Sequence, residues 1–206
     1  MSNKEVMIVT GAGQISMAIA RRVGNGKKIV MGDKNIENAK AIATIMNNAG
    51  FDVEPVEMDL SDRESVKKLI SKAQEYGKIT MLVNGAGVSP SQASIEMILK
   101  VDLYGTAVLL EEVGKVIEEG GARVNAIAPG IIVTPLAIDE FNGPRGNFYK
   151  NMFAKCPAGR PGTADEVANV AELLMSDKGA FITGSTFLID GGATSSYYYG
   201  PLKPEA

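Results

Sequence analysis

Glu5-Val6-Met7-Ile8-Val9-Thr10-Gly11-Ala12-Gly13-Gln14-Ile15-Ser16 is the stretch that decides the fold. A β-prone run leads without interruption into two glycines, and a helical pattern begins at about Gln14. A strand this apolar is buried on both faces, as in a parallel sheet covered by helices. Glycines at a strand-to-helix turn let the backbone approach a pyrophosphate, whose charge is met by the free N–H groups of the helix. Gly11, Gly13, Gln14 and Ile15 are therefore candidate binding residues. The third glycine of a G-x-G-x-x-G pattern is Ser16 here, and its Cβ and hydroxyl fall where helix and strand backbones come closest. A slightly displaced helix or a weakened affinity is expected.

Outward from this turn, strands and helices alternate. Lys28 to Gly32 reads as a second strand, followed by a helix through Ile36, Ala39, Ala43 and Met46. Val53 to Met58 reads as a third strand and Ile79 to Val83 as a fourth. Ser61-Asp62-Arg63-Glu64 has the form of a capping box with Ser61 as the cap, and it opens a helix whose Val66, Leu69, Ile70 and Ala73 share one face. A long helical stretch covers about Ser91 to Glu119, and Arg123 to Ala128 is another strand. Thr163-Ala164-Asp165-Glu166 is a second capping box, before a helix through Val167, Val170, Ala171 and Leu174. Ser185 to Ile189 is the last strand. The tail over 193–206, rich in Ser, Tyr, Gly and Pro, reads as an extended arm. The alternation predicts an α/β fold of Rossmann type: a doubly wound, mainly parallel sheet with helices on both faces.

A chain of 206 residues with 45% hydrophobic content fills one core, so a single domain over 1–206 is expected. Its 21 basic and 24 acidic residues give a net charge of −3 without a basic stripe, which argues against a nucleic-acid partner. The N-terminal apolar run is too short for a signal peptide, and no run reaches membrane-spanning length; a cytoplasmic protein with no membrane contact is expected. The absence of histidine removes Ser-His-Asp triads, imidazole bases and the usual mixed zinc sites, so no metal is expected. Cys156, the only cysteine, forms no internal disulfide and reads as a small neutral side chain.

Asp33 ends the second strand twenty positions after Gly13, where a carboxylate accepts hydrogen bonds from adenosine ribose hydroxyls. The same charge repels a 2′-phosphate, which favours NAD over NADP, although the adjacent Lys34 offsets part of that repulsion.

Asn84-Gly85-Ala86-Gly87 after the fourth strand resembles the Asn-x-Ala-Gly signature of the short-chain dehydrogenase/reductase family. Asp59-Leu60 is similar to that family's adenine-contacting pair, and Arg123-Val124-Asn125-Ala126-Ile127-Ala128-Pro129-Gly130 to the segment of its sixth strand. Thr183-Gly184 through Asp190-Gly191-Gly192 resembles its last strand and exit. The resemblance implies cofactor contacts from Asp59, Leu60, Asn84, Ala86 and Gly87, and nicotinamide contacts from Pro129, Gly130, Ile132 and Thr134. It further implies hydride transfer between NAD(P) and a secondary alcohol or ketone, and assembly as a homodimer or homotetramer.

The family's catalytic serine and Tyr-x-x-x-Lys pair belong to a strand and helix between the Asn-x-Ala-Gly and Arg-Val-Asn segments. Here Val116-Ile117-Glu118-Glu119 runs through Gly120-Gly121 directly into Ala122-Arg123, so that unit is absent and the catalytic residues are unknown. Either the polypeptide lacks the unit, or the sequence is joined across it; the junction, which reads like the start of one strand fused to the turn before the next, favours the second. With a true deletion, Arg123 to Ala128 could take the vacated slot beside the fourth strand through a right-handed crossover. The one literal match, Tyr199-Gly200-Pro201-Leu202-Lys203, contains Gly and Pro that disfavour a helix. Asp102 stands where relatives carry an asparagine that helps hold a proton-relay water. Residues 135–162 correspond to the family's substrate lid. Its Leu136, Phe141, Phe148, Tyr149, Met152 and Phe153 suit a hydrophobic alicyclic or steroid-like substrate, or equally pack on their own core. The competing reading is a dinucleotide-binding protein without catalysis.

Overall fold

The computed structural model describes residues 4–117 and 122–204. The Gly120-Gly121 junction and the expected end of the long helix at Glu118-Glu119 lie outside the described residues. Contacts divide the chain into two compact units, one ending at Ala122 and the other starting at Arg123.

The first unit holds strands β1 (Lys4–Thr10), β2 (Lys28–Asp33), β3 (Asp52–Glu57) and β4 (Gly77–Asn84), all parallel in the order β3-β2-β1-β4. Helices α1 (Gln14–Val23), α2 (Ile36–Asn48) and α3 (Arg63–Tyr76) connect them. From Val6 to Thr10 every residue of β1 is buried, as an apolar central strand requires. The expected face of α3 is buried as well, and Val66, Leu69, Ile70 and Ala73 pack with Val6, Ile8, Val30 and Met58 in one core. Burying a side chain such as Leu69 stabilises the fold by about 1.5–3 kcal/mol relative to exposure.

Two local expectations are corrected in this unit. The cap of α3 is Asp62, not Ser61: the Ser61 hydroxyl donates to Asp59 Oδ1 at 2.7 Å, which leaves Asp62 to accept from the Glu64 N–H at 3.0 Å. The stretch expected as one helix from Ser91 starts after the cap Ser94 and comes in three pieces. These are α4 (Ile95–Ile98), a π-helical segment (Leu99–Gly105) and α5 (Thr106–Gly114). A wide π turn is a local rearrangement that periodicity does not reveal. Within it Asp102 accepts from the Val88 N–H, and Gly105 lies so close to Leu60 that a Cβ would come within 2.6 Å of the Leu60 carbonyl oxygen.

In the second unit β5 (Ala126–Pro129) pairs in parallel with β8 (Thr186–Ile189), and β6 (Ile132–Val133) with β7 (Gly162–Thr163). Helices α6 (Pro135–Asn142), α7 (Gly146–Lys155), α8 (Ala164–Met175) and α9 (Ala193–Tyr199) complete it. The capping box opening α8 forms as expected, with Thr163 and Glu166 bonded reciprocally. Arg123 to Asn125, expected in the strand, are used as ties instead. Arg123 donates to the carbonyls of Leu174, Gly179 and Ser176, and Asn125 bonds Ile182 and Ser185. The segment expected as an extended arm contains α9, because the Asp190 carboxylate accepts from the Gly192 and Thr194 N–H groups while the Ser196 hydroxyl donates to the Lys155 carbonyl.

Among the described residues β4 pairs only with β1, and β5 only with β8. The strands of the second unit are also less covered than β1, with Leu188 exposed. No described helix is long and apolar enough to cross a membrane.

Candidate functional site

The glycine turn has the geometry the sequence requires. Gly11 adopts φ +76°, donates its N–H to the Gly32 carbonyl at 2.7 Å, and runs so close to the Asn84–Gly87 loop that a Cβ would meet the Ala86 nitrogen at 2.7 Å. Around Gly13 a Cβ would meet nothing within 4 Å. Gly13 is also the N-cap of α1, which has neither a capping side chain nor an acidic residue in its first turn, so the amides at Gln14 and Ile15 present a positive helix end. Ser16 is buried, with its Oγ 3.5 Å from the Thr10 carbonyl. Its room comes from Gly85, where a Cβ would stand 2.1 Å from that Oγ.

Asp33, at the end of β2, faces this turn. Its Oδ2 accepts from the Ala12 N–H at 2.7 Å and its Oδ1 from the Asn35 N–H at 2.8 Å. Asn38 donates to the Ala12 carbonyl at 3.2 Å, fastening the next peptide group, on the other side of the Ala12 Cα. Asp59 lies one strand over, with Oδ1 held by Ser61 and Oδ2 2.8 Å from Lys34 Nζ. Burial pushes the Asp59 carboxyl up, but the hydrogen bonds from Lys34 and Ser61 outweigh it and hold the group below its ordinary value. The Leu60 side chain is buried in the core.

The Asn84 side chain is an internal brace: Oδ1 accepts from the Thr10 hydroxyl at 2.6 Å, and Nδ2 donates to the Thr106 hydroxyl at 2.9 Å. Ala86 donates its N–H to Thr10 Oγ1 at 3.4 Å, while Gly87 passes Asp102, where a Cβ would be 3.2 Å from Oδ1. The first unit therefore brings Gly11, Gly13, Gln14, Ile15, Asp33, Asn84 and Ala86 to the carboxyl ends of β1, β2 and β4. Sequence reading passed over Thr10, Asn38 and Thr106. Thr10 carries a signal, being the polar end of an otherwise apolar strand; Asn38 and Thr106 carry none.

In the second unit Pro129 ends β5, and Gly130 passes Asp190 so closely that a Cβ would lie 2.7 Å from its Cα. Ile132 is buried, and Thr134 caps α6 by accepting from the Ala137 N–H at 3.2 Å. A cavity of about 270 Å³ is lined by Ile131, Ile132, Met152, Phe153, Cys156 and Ile189, among others. Burial, followed by the charge of Asp190, pushes the Cys156 thiol up. The rings of α6 and α7 pack largely on each other, Phe141 meeting Tyr149 at 5.5 Å and Phe153 at 5.3 Å edge-on, while Phe148 is exposed. Tyr199 is the last residue of α9 and Lys203 lies beyond it, so that spacing does not bring the two onto consecutive helical turns.

Two family models match the chain: "short chain dehydrogenase" over residues 5–111 and "Enoyl-(Acyl carrier protein) reductase" over residues 116–194. D-threitol dehydrogenase of Mycolicibacterium smegmatis is 30% identical, the match covering 92% of this chain and 93% of that protein. The 7alpha-hydroxysteroid dehydrogenase of Bacteroides fragilis is 27% identical, over 93% and 95%. The crystal structure of a variant actinorhodin polyketide ketoreductase with NADPH shares the fold, with a TM-score of 0.82 at 21% identity, over 94% of this chain and 99% of that one. The two sequence alignments run over 244 and 252 residues against a chain of 206, so each passes over positions of the relative that have no counterpart here.

Proposed function

The chain belongs to the short-chain dehydrogenase/reductase family of oxidoreductases, and on that premise we propose that it binds NAD and interconverts a secondary alcohol and a ketone on a hydrophobic, alicyclic or steroid-like substrate. The observation that carries this reading is the Asp33 carboxylate, hydrogen-bonded to the Ala12 N–H of the glycine turn. It stands beside an uncapped helix end suited to a pyrophosphate, and its bonds from Ala12, Asn35 and Asn38 leave acceptor capacity for a ribose hydroxyl.

Gly11, Gly13, Gln14, Ile15, Asp33, Asp59, Leu60, Asn84, Ala86 and Gly87 are assigned to the adenosine diphosphate end. In this assignment Leu60 and Asn84 act by shaping the backbone rather than through their side chains. Pro129, Gly130, Ile132 and Thr134 are assigned to the nicotinamide on the family pattern. The bound nicotinamide supplies or accepts the hydride. Asp33 disfavours a 2′-phosphate by charge repulsion, which is why NAD is proposed over NADP. The substrate class is supported by the apolar cavity wall of Ile131, Ile132, Met152 and Phe153, and by the ring substrate in the name of the hydroxysteroid dehydrogenase relative. We take 1–206 as one dinucleotide-binding domain located in the cytoplasm. A homodimer or homotetramer is proposed, on the apolar row Ile95, Leu99 and Leu103, exposed at helical spacing.

A second reading, a dinucleotide-binding protein without hydride transfer, is favoured by one observation: no described helix carries a Tyr-x-x-x-Lys pair. Fluorescence titration with NADH tests the shared premise, and the absence of a saturable signal would defeat both readings. The intact mass of the purified protein separates them. A mass above 21.7 kDa by the size of a strand and helix supports the enzyme; a mass of 21.7 kDa, with NADH bound and no alcohol oxidised, supports the binding protein.

A further inference from the structure

Lys34 and Asp59 each lie just past a strand end, on β2 and β3, and their side chains meet at 2.8 Å. The two strands are in register up to Asp33 and Glu57, and the Met58 N–H donates to the Asp33 carbonyl at 2.9 Å, so the backbone fixes both residues on the same edge of the sheet. Asp59 is the anchored partner: its other oxygen accepts from both the N–H and the hydroxyl of Ser61, and its own N–H donates to the Ser65 hydroxyl. Lys34 is the more exposed one, with its side chain 73% exposed against 32% for Asp59. A long, solvated ammonium is thus tethered at its tip to a fixed carboxylate.

We propose that Asp59 sets the choice between NAD and NADP by holding Lys34 away from the ribose end of the site. The inference rests on the dinucleotide reading above and deepens it. Lys34 follows Asp33 directly, and its ammonium is the charge nearest in sequence that could neutralise a 2′-phosphate there. While Lys34 is bonded to Asp59, the Asp33 carboxylate faces an incoming 2′-phosphate without that counter-charge. A phosphate must break the Lys34–Asp59 pair to recruit the ammonium, whereas two hydroxyls have no need of it. Discrimination is therefore divided between direct repulsion by Asp33 and sequestration of Lys34 by Asp59.

The test is fluorescence titration of the full chain with NADH and with NADPH, in wild type, Asp59→Asn, Lys34→Gln and the double variant. Asp59→Asn keeps an acceptor for Ser61 and removes the charge that holds Lys34. It is expected to shift the NADPH-to-NADH affinity ratio toward NADPH by about 3- to 10-fold, as a charge-assisted contact allows, with a smaller shift at high salt. The gain must vanish in the double variant, because Lys34 delivers it. Saturable NADH binding with an unchanged ratio in Asp59→Asn, or a gain that survives Lys34→Gln, overturns the proposal and leaves the dinucleotide reading standing. No saturable signal from either nucleotide on any of the four proteins overturns both.

Discussion

The hydroxyl of Ser16 occupies the space that a side chain at position 85 would need: a Cβ on Gly85 would fall 2.1 Å from Ser16 Oγ. The departure from a third glycine in the first turn is thus matched by a glycine in the loop after β4. Gly85→Ala is expected to destabilise the fold by about 1–3 kcal/mol, the usual cost of overpacking. Ser16→Gly in the same molecule should restore most of it. Urea denaturation of both single variants and the double variant measures the coupling; additive effects would show that the two positions do not share this space.

Asp33→Ala removes the charged acceptor proposed for the ribose, and NADH affinity should fall by about 10- to 100-fold, the equivalent of about 1.4–2.8 kcal/mol. Asp33→Asn keeps an acceptor for the Ala12 N–H and should lose less. Fluorescence titration checks the ranking, and equal affinity in all three proteins removes Asp33 from the site.

Arg123 holds the C-terminal end of α8 by donating to three carbonyls, those of Leu174, Ser176 and Gly179. Arg123→Ala leaves these acceptors without their cation and should cost about 2 kcal/mol of stability in denaturant unfolding. Arg123→Lys, with one ammonium in place of a fork, should recover only part of it.

Glu166 gives a stability that depends on acid. Its bidentate bond from Arg160, with the Thr163 N–H behind it, holds the carboxyl down to about 2 from an ordinary 4.5. A depressed pKa means that the folded state binds the proton less readily than the unfolded chain. The contribution is therefore complete above about pH 4.5 and is lost as the pH falls toward 2. Unfolding midpoints of wild type and Glu166→Gln should differ by a constant amount above pH 4.5 and converge below it.

The order of strands and helices was legible because β1 and β2 are apolar and buried on both faces, and because the glycine turn punctuates them. The α8 cap was legible because the bidentate bond from Arg160 leaves Glu166 Oε2 still accepting from the Thr163 N–H, so the reciprocal cap forms alongside it. At α3 the same four-residue pattern misled: the Ser61 hydroxyl serves Asp59, a partner that capping rules do not weigh. The helix from Ser94 hid its π segment, because a widened turn answers to Leu60 and Val88, both remote in sequence. Of the candidate site, Asp33 and the glycines were readable from spacing. The internal commitment of Asn84 to Thr10 and Thr106 was not, since it depends on three elements meeting.

Because Cys156 is the only sulfhydryl in the chain and borders the cavity beside Met152 and Phe153, it offers a natural attachment point for a spectroscopic reporter. Its suppressed ionisation makes alkylation slow in neutral buffer and faster as the medium becomes alkaline. A dye placed there would sense from within whether an alicyclic compound enters, without waiting for turnover.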